Sequence, residues 1–162
     1  MYDPRGFATD RRAMQPGNSW HQLIGVMKFD YWHLQRYLRL QGSRDGDELP
    51  FEAGSMVMGN VLSMREPVWQ TAVATARGLG VDNVFESWGR NRSLMPAVAA
   101  KCIAQLRAAI DKIDETGEIT PAPDLADDLL PSLEGVRTAL HGLLALFAVA
   151  VARNVPVETW VD

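Results

Sequence analysis

Apolar residues recur at three- and four-residue steps along most of this chain, the spacing of one buried face on an α-helix. Trp20, Leu23, Ile24, Met27, Tyr31, Leu34 and Leu38 form a first such stripe. Asn18 or Ser19 is placed to cap its start, where a side-chain oxygen satisfies a free backbone N–H, and Gly42 stops it. A second helical stretch is predicted over residues 50–77, with Phe51, Met58, Leu62, Trp69, Val73 and Ala76 on its apolar side. Pro67 lies inside it, which predicts a kink or a break into two shorter helices. Residues 81–88 read as one further turn.

A third helix is expected from Ser93, with Pro96 tolerated in the first turn and Gly117 closing it. Its stripe is Leu94, Val98, Cys102, Leu106, Ala109 and Ile113. Thr120-Pro-Ala-Pro123 reads as a stiff linker, and Asp124 as the cap of a fourth stretch running to Arg153 with a kink or restart at Pro131. From Leu143 onward that stretch is apolar on every side, which predicts that its last turns are central in the core. The period-two alternation of a half-buried strand does not persist anywhere, and the Asn-Gly or Asp-Gly signature of a hairpin does not fall between alternating segments. The expected fold is therefore all-α: a bundle of four main helices in residues 19–162, preceded by an irregular arm at 1–18 that is rich in Pro, Gly and Arg.

Two segments hint at duplication. Ala72-Val-Ala-Thr-Ala-Arg77 resembles Ala148-Val-Ala-Val-Ala-Arg153 at an offset of 76, and Gly78 and Asn154 follow as left-handed cap residues. Glu86-Ser-Trp88 echoes Glu158-Thr-Trp160, and Gly42 and Gly117 lie 75 apart. Two helical hairpins related by a pseudo-twofold would produce this spacing. Trp88 and Trp160 are then expected as lids over the core.

Composition narrows the class. With 162 residues and 47% hydrophobic content the chain can bury a substantial core and is not a disordered protein. Cys102 is the one cysteine, so an intramolecular disulfide is excluded; the thiol reads as a small core residue. The first residues lack the apolar stretch of a signal peptide, and the longest apolar run, residues 138–152, is shorter than a bilayer span. The expected location is cytoplasmic, in keeping with a lone thiol.

Net charge is −4, and it is unevenly spread. The first 44 residues carry a surplus of +4, the rest −8. Arg36, Arg39 and Arg44 with Tyr37 could line a basic edge for nucleic acid, the weaker reading beside a solvated helix face. The same asymmetry suits head-to-tail contact between copies in a homo-oligomer. Met56, Met58 and Met64 beside Trp69 offer either core packing or an adaptable binding surface.

The strongest chemical signal is acidic. Asp111, Asp114 and Glu115 stand at i, i+3, i+4, and Asp124, Asp127 and Asp128 repeat the spacing, with Glu118 between. On the two helices of a hairpin, each trio would share a face and both would meet at one end of the bundle. A solvated charged hairpin is the plain reading; a Mg²⁺ site or a dock for a basic protein partner are the functional ones. Asp111-x-x-Asp114 and Asp124-x-x-Asp127 resemble a shortened form of the carboxylate motifs of the all-α NTP pyrophosphatases (MazG-like), and residues 143–158 are similar to that family's helix end. Membership would imply a Mg²⁺-dependent nucleotide pyrophosphatase, with Asp111, Asp114, Glu115, Asp124, Asp127 and Asp128 as the metal ligands. The two partial matches are out of register with each other, because Thr138 and His141 occupy the place of the second motif.

His21 and His33 are too far apart along one helix to share a metal, His141 reads as a core histidine, and Arg137-x-x-x-His141 is too short for the Arg/His pairing it resembles in helical ribonuclease domains. Spacing alone assembles no catalytic set. The expectation is a non-enzymatic helical protein-binding module without cofactor, of the immunity, inhibitor or adaptor type and of phage or mobile-element origin, acting by occluding or bridging a protein partner. The Mg²⁺ pyrophosphatase is the alternative.

Overall fold

The computed structural model describes residues 2–3, 7–8, 32–77 and 93–162. The chain divides into two compact units, Met1–His33 and Leu34–Asp162. In the first, the described segments β1 (Tyr2–Asp3) and β2 (Phe7–Ala8) pair antiparallel, Tyr2 opposite Ala8. The stripe expected over residues 20–31, the further turn at 81–88, and with them His21, Gly78 and Trp88, lie outside the described residues.

The second unit is an antiparallel sheet layered on helices, not an all-α bundle of four helices. In chain order its elements are β3 (Gln35–Leu40), β4 (Val57–Met58), β5 (Val61–Arg65), α1 (Glu66–Arg77), β6 (Ser93–Leu94), α2 (Pro96–Thr116), α3 (Leu133–Arg153) and β7 (Val157–Val161). The sheet order is β4-β5-β3-β7-β6, so the first and last strands of the unit lie side by side at its centre. The pseudo-twofold arrangement of two helical hairpins falls with the all-α reading: Gly42 follows a strand, whereas Gly117 closes a helix.

Strand β3 shows why the helical reading fails. Arg36, Leu38 and Leu40 are buried, and Gln35, Tyr37 and Arg39 are half-buried on the other face. The alternation of a strand is present, but a charged residue occupies one inward position and an aromatic one an outward position. The pair Leu34/Leu38 then mimics the four-residue step of a helix. Strand β5 places Leu62 and Met64 inward, and β7 places Val157 and Thr159 inward. β4 and β5 are joined by Gly59-Asn60, with Gly59 at φ 64, the positive value that the first position of a two-residue hairpin turn accepts in glycine.

The second predicted helix is therefore a hairpin followed by a helix. Helix α1 begins at Glu66, so Pro67 sits in its first turn, where a missing N–H removes nothing, and no kink is needed. The third helix matches expectation over most of its length. It starts at Pro96, and Gly117 adopts φ 69 and donates its N–H to the Ile113 carbonyl. The fourth does not start at Asp124, which stands at φ 63 in the linker. A 3₁₀ turn spans Asp127–Leu129, and α3 begins after Pro131, capped by Ser132, whose hydroxyl accepts from Gly135 N at 2.9 Å. Asn154 closes α3 in the left-handed conformation.

Helices α1, α2 and α3 pack on the Leu38 side of the sheet. Leu38, Leu62, Trp69, Cys102, Leu106, Leu140, Leu143, Leu146 and Phe147 form the centre of one core cluster. Gly142 lets α3 approach β5 closely: a Cβ there would stand 3.1 Å from Leu62 Cδ1. The last turns of α3 are not buried all round, since Ala148, Val151 and Ala152 are exposed. At 21 residues α3 is long and apolar enough, by length and composition, to cross a membrane; it packs against α1, α2, β3 and β5.

A polar cluster lies within that core. Arg36 Nε meets Glu66 Oε1 at 2.8 Å, and its Nη2 reaches Oε2 at 3.4 Å, both side chains essentially inaccessible. Arg36 Nη1 also donates to Thr159 Oγ1 at 3.2 Å, and the guanidinium lies 5.0 Å from the Trp69 ring centroid. Gln70 Nε2 donates to Glu66 Oε2 at 3.0 Å. Removing one member strands a buried charge, so Glu66→Ala should cost about 3–5 kcal/mol in urea unfolding, while Arg36→Met with Glu66→Leu should recover most of the loss. A double variant no more stable than the single one would refute this account of the pair.

Candidate functional site

The first acidic trio lies where the sequence placed it, near the end of a helix, whereas the second does not open one. Asp111, Asp114 and Glu115 lie in the last turns of α2 and are exposed. Glu118 and Asp124 are exposed in the linker, and Asp127 and Asp128 are exposed in the 3₁₀ turn, so the second trio does not share a helix face. Within this set one carboxylate is engaged in an ion pair: Arg137 Nε, from the first turns of α3, donates to Asp114 Oδ1 at 2.7 Å. That guanidinium holds the Asp114 carboxyl below the usual carboxylate range.

No group of three or more His, Cys, Asp or Glu side chains close enough to hold a metal occurs among the described residues. The six candidate ligands thus do not converge on a point, and a guanidinium already neutralises one of them. The fold also departs from the all-α architecture that the pyrophosphatase resemblance implied.

What the acids surround is apolar. Leu130 and Leu133 flank Pro131 and are 43% and 39% exposed, and Leu125 and Leu129 are half-buried beside them. Glu134 adds a further exposed carboxylate. The linker is held in place from the other side: Thr120 N donates to Thr75 Oγ1 at 3.0 Å, and that hydroxyl donates to Thr71 O at 2.8 Å. Exposed leucines and exposed carboxylates therefore share one tethered segment.

The remaining candidates resolve as follows. Arg36 is buried against Glu66, and Arg39 pairs with Glu158 at 2.7 Å. Arg44 is exposed, with its backbone N–H bound to Asp47 Oδ2 at 2.7 Å. The three arginines do not form a basic edge, and the positive surplus of the first 44 residues is partly consumed inside the fold. His141 is exposed on α3, not a core histidine, and His33 is exposed as well. Met64 and Trp69 are core residues, Met56 packs against the core from a half-buried position, and Met58 is exposed. Trp160 is no lid over the core: it lies on β7, on the sheet face turned away from α1, α2 and α3, stacked on Tyr37 at 5.5 Å between ring centroids. Sequence reasoning missed this face. The alternating Val157-Glu-Thr-Trp-Val161 was the available signal.

The class that emerges is an α+β domain with a tethered acidic and leucine-bearing corner. No known protein family matches the chain, and no match is found among curated proteins or among solved structures.

Two titrations follow. Arg137→Ala should return Asp114 to the ordinary carboxylate range, read by NMR. Because the folded-state value is lowered, the pair's contribution to stability is present at neutral pH and is lost as pH falls through that lowered value. Burial pushes the Cys102 thiol up to about 11, so thiol reagents at mildly alkaline pH should label it only after unfolding. Rapid labelling of the folded protein would contradict the burial.

Proposed function

We propose that this protein is a non-enzymatic protein-binding module that receives a basic, apolar segment of its partner on the corner formed by the end of α2, the linker and the start of α3. It acts by occlusion or bridging, as immunity, inhibitor and adaptor proteins do. The observation that carries the reading is the pair of exposed leucines, Leu130 and Leu133, beside carboxylates of which, among the described residues, Asp114 is the one in an ion pair. Three features support a binding role over a catalytic one. Arg36, Arg39 and Arg137 are committed to Glu66, Glu158 and Asp114. The candidate metal ligands are spread along a linker and two helix ends. Leu130 and Leu133 present apolar side chains to solvent, the kind of surface a macromolecular partner covers.

Affinity capture from the native host, followed by mass spectrometry, tests this with the wild type beside Leu130→Lys and Asp127→Lys with Asp128→Lys. A partner retained by the wild type, released by salt and lost from both variants is expected. A partner kept equally by all three places the binding surface elsewhere. Tight Mg²⁺ binding by calorimetry, abolished by Asp114→Asn with Asp127→Asn, would overturn the reading in favour of metal chemistry.

A further inference from the structure

The linker between α2 and α3 is fastened to α1 through a single side chain. Residues 118–131 are exposed except for Ala122, which is buried, and Ile119, Leu125, Leu129 and Pro131, which are half-buried. Most of their backbone bonds are local: Glu118 N donates to Thr116 Oγ1, Leu125 N to Ala122 O, Leu129 N to Ala126 O and Leu130 N to Asp127 O. Among the described residues, the hydrogen bonds that tie the segment to a distant part of the chain all pass through Thr75 Oγ1. That hydroxyl accepts from Thr120 N at 3.0 Å and gives its proton to Thr71 O at 2.8 Å, with Thr120 O at 3.4 Å as a weaker second acceptor. Helices α2 and α3 hold each other without the linker, by direct packing and by the Arg137–Asp114 pair.

The segment also carries what a moving piece needs. Pro121 and Pro123 have a fixed φ and no N–H, so Thr120-Pro-Ala-Pro123 is stiff and asks for few partners. Left-handed residues bound this stretch, Gly117 at φ 69 and Asp124 at φ 63. Asp124 holds that conformation without being glycine, a strain that release relieves. One hydroxyl, the buried Ala122 methyl and the half-buried Ile119 oppose this strain and the entropy of a free loop. A segment held so lightly opens at lower cost than the core.

We propose that residues 118–131 are a strap with two positions, buckled on α1 through Thr75 and released from it while the helices and the sheet stay folded. Buckled, the strap fixes where Leu125, Leu129 and Leu130 stand; released, it does not. Its bearing on a partner rests on the binding role proposed for the corner, whereas the strap itself does not.

Two thiols in one full-length chain separate opening of the strap from unfolding. Ala122→Cys puts a reporter at the buried point of the strap, and Cys102, in the core, reports global unfolding. With a thiol reagent in dilute urea, the new thiol should react roughly a hundredfold faster than Cys102, and with a shallow urea dependence, because little surface is exposed. Thr75→Val should speed its labelling by roughly tenfold without steepening that dependence, since Thr120 N loses its acceptor. Thr75→Ser, which keeps the hydroxyl, should leave the rate unchanged. Asp124→Val should speed labelling too, because a β-branched side chain tolerates positive φ poorly. Amide exchange at Thr120 in the chain without the added cysteine should show the same ordering of variants. A urea dependence as steep as that of Cys102 overturns the proposal, since the segment then opens only with the whole fold. A labelling rate indifferent to Thr75→Val does so too, since Thr75 then buckles nothing.

Discussion

The fold of the larger unit turns on one buried ion pair. Arg36 comes from the central strand, Glu66 from the first residue of α1, Thr159 from the last strand, and all three meet beneath the sheet. Desolvating a guanidinium and a carboxylate is costly, and the cost is met here by geometry: two hydrogen bonds between the pair, a third to Thr159, a fourth from Gln70 to the carboxylate, and the Trp69 ring against the cation. Glu66 also stands at a helix start, where the dipole favours negative charge. A one-residue slip of β3 would turn Arg36 to the opposite face and leave Glu66 buried alone. The pair therefore specifies register as much as it adds stability.

That register organises both faces of the sheet. With Arg36 inward, Leu38 and Leu40 follow it into the core and meet Leu62, Phe147 and Val157. With Tyr37 outward, the ring falls beside Trp160, and Arg39 falls between Trp160 and Glu158. The aromatic row is a consequence of the buried charge. The acidic corner is independent of it: it is set by the cap at Ser132, by Pro131, and by the threonine bonds that fasten the linker to α1.

The fixed charges sort by environment. The buried Arg36–Glu66 pair and the half-buried Arg39–Glu158 pair join distant parts of the chain. The exposed Arg137–Asp114 pair only bridges two neighbouring helices and is screened by solvent. A net charge counted along the sequence mixes these classes, which is why Arg36, Arg39 and Arg44 form no basic edge among the described residues.

Helices α2 and α3 were legible because each follows the signals that act within a few residues. Those signals are a stripe at helical spacing, Pro96 at an N-terminus, and left-handed Gly117 and Asn154 at the C-termini. Cys102 as a core residue was legible for the same reason. The strands were not. β3 hides its alternation by burying an arginine, which only a carboxylate 30 residues away makes tolerable. β7 pairs with a strand more than a hundred residues earlier. Local propensity and periodicity therefore settled where the two long helices run and how they end. Partnership between residues remote in the chain decided that a sheet exists, which way Arg36 and Tyr37 point, and which charges remain free at the surface.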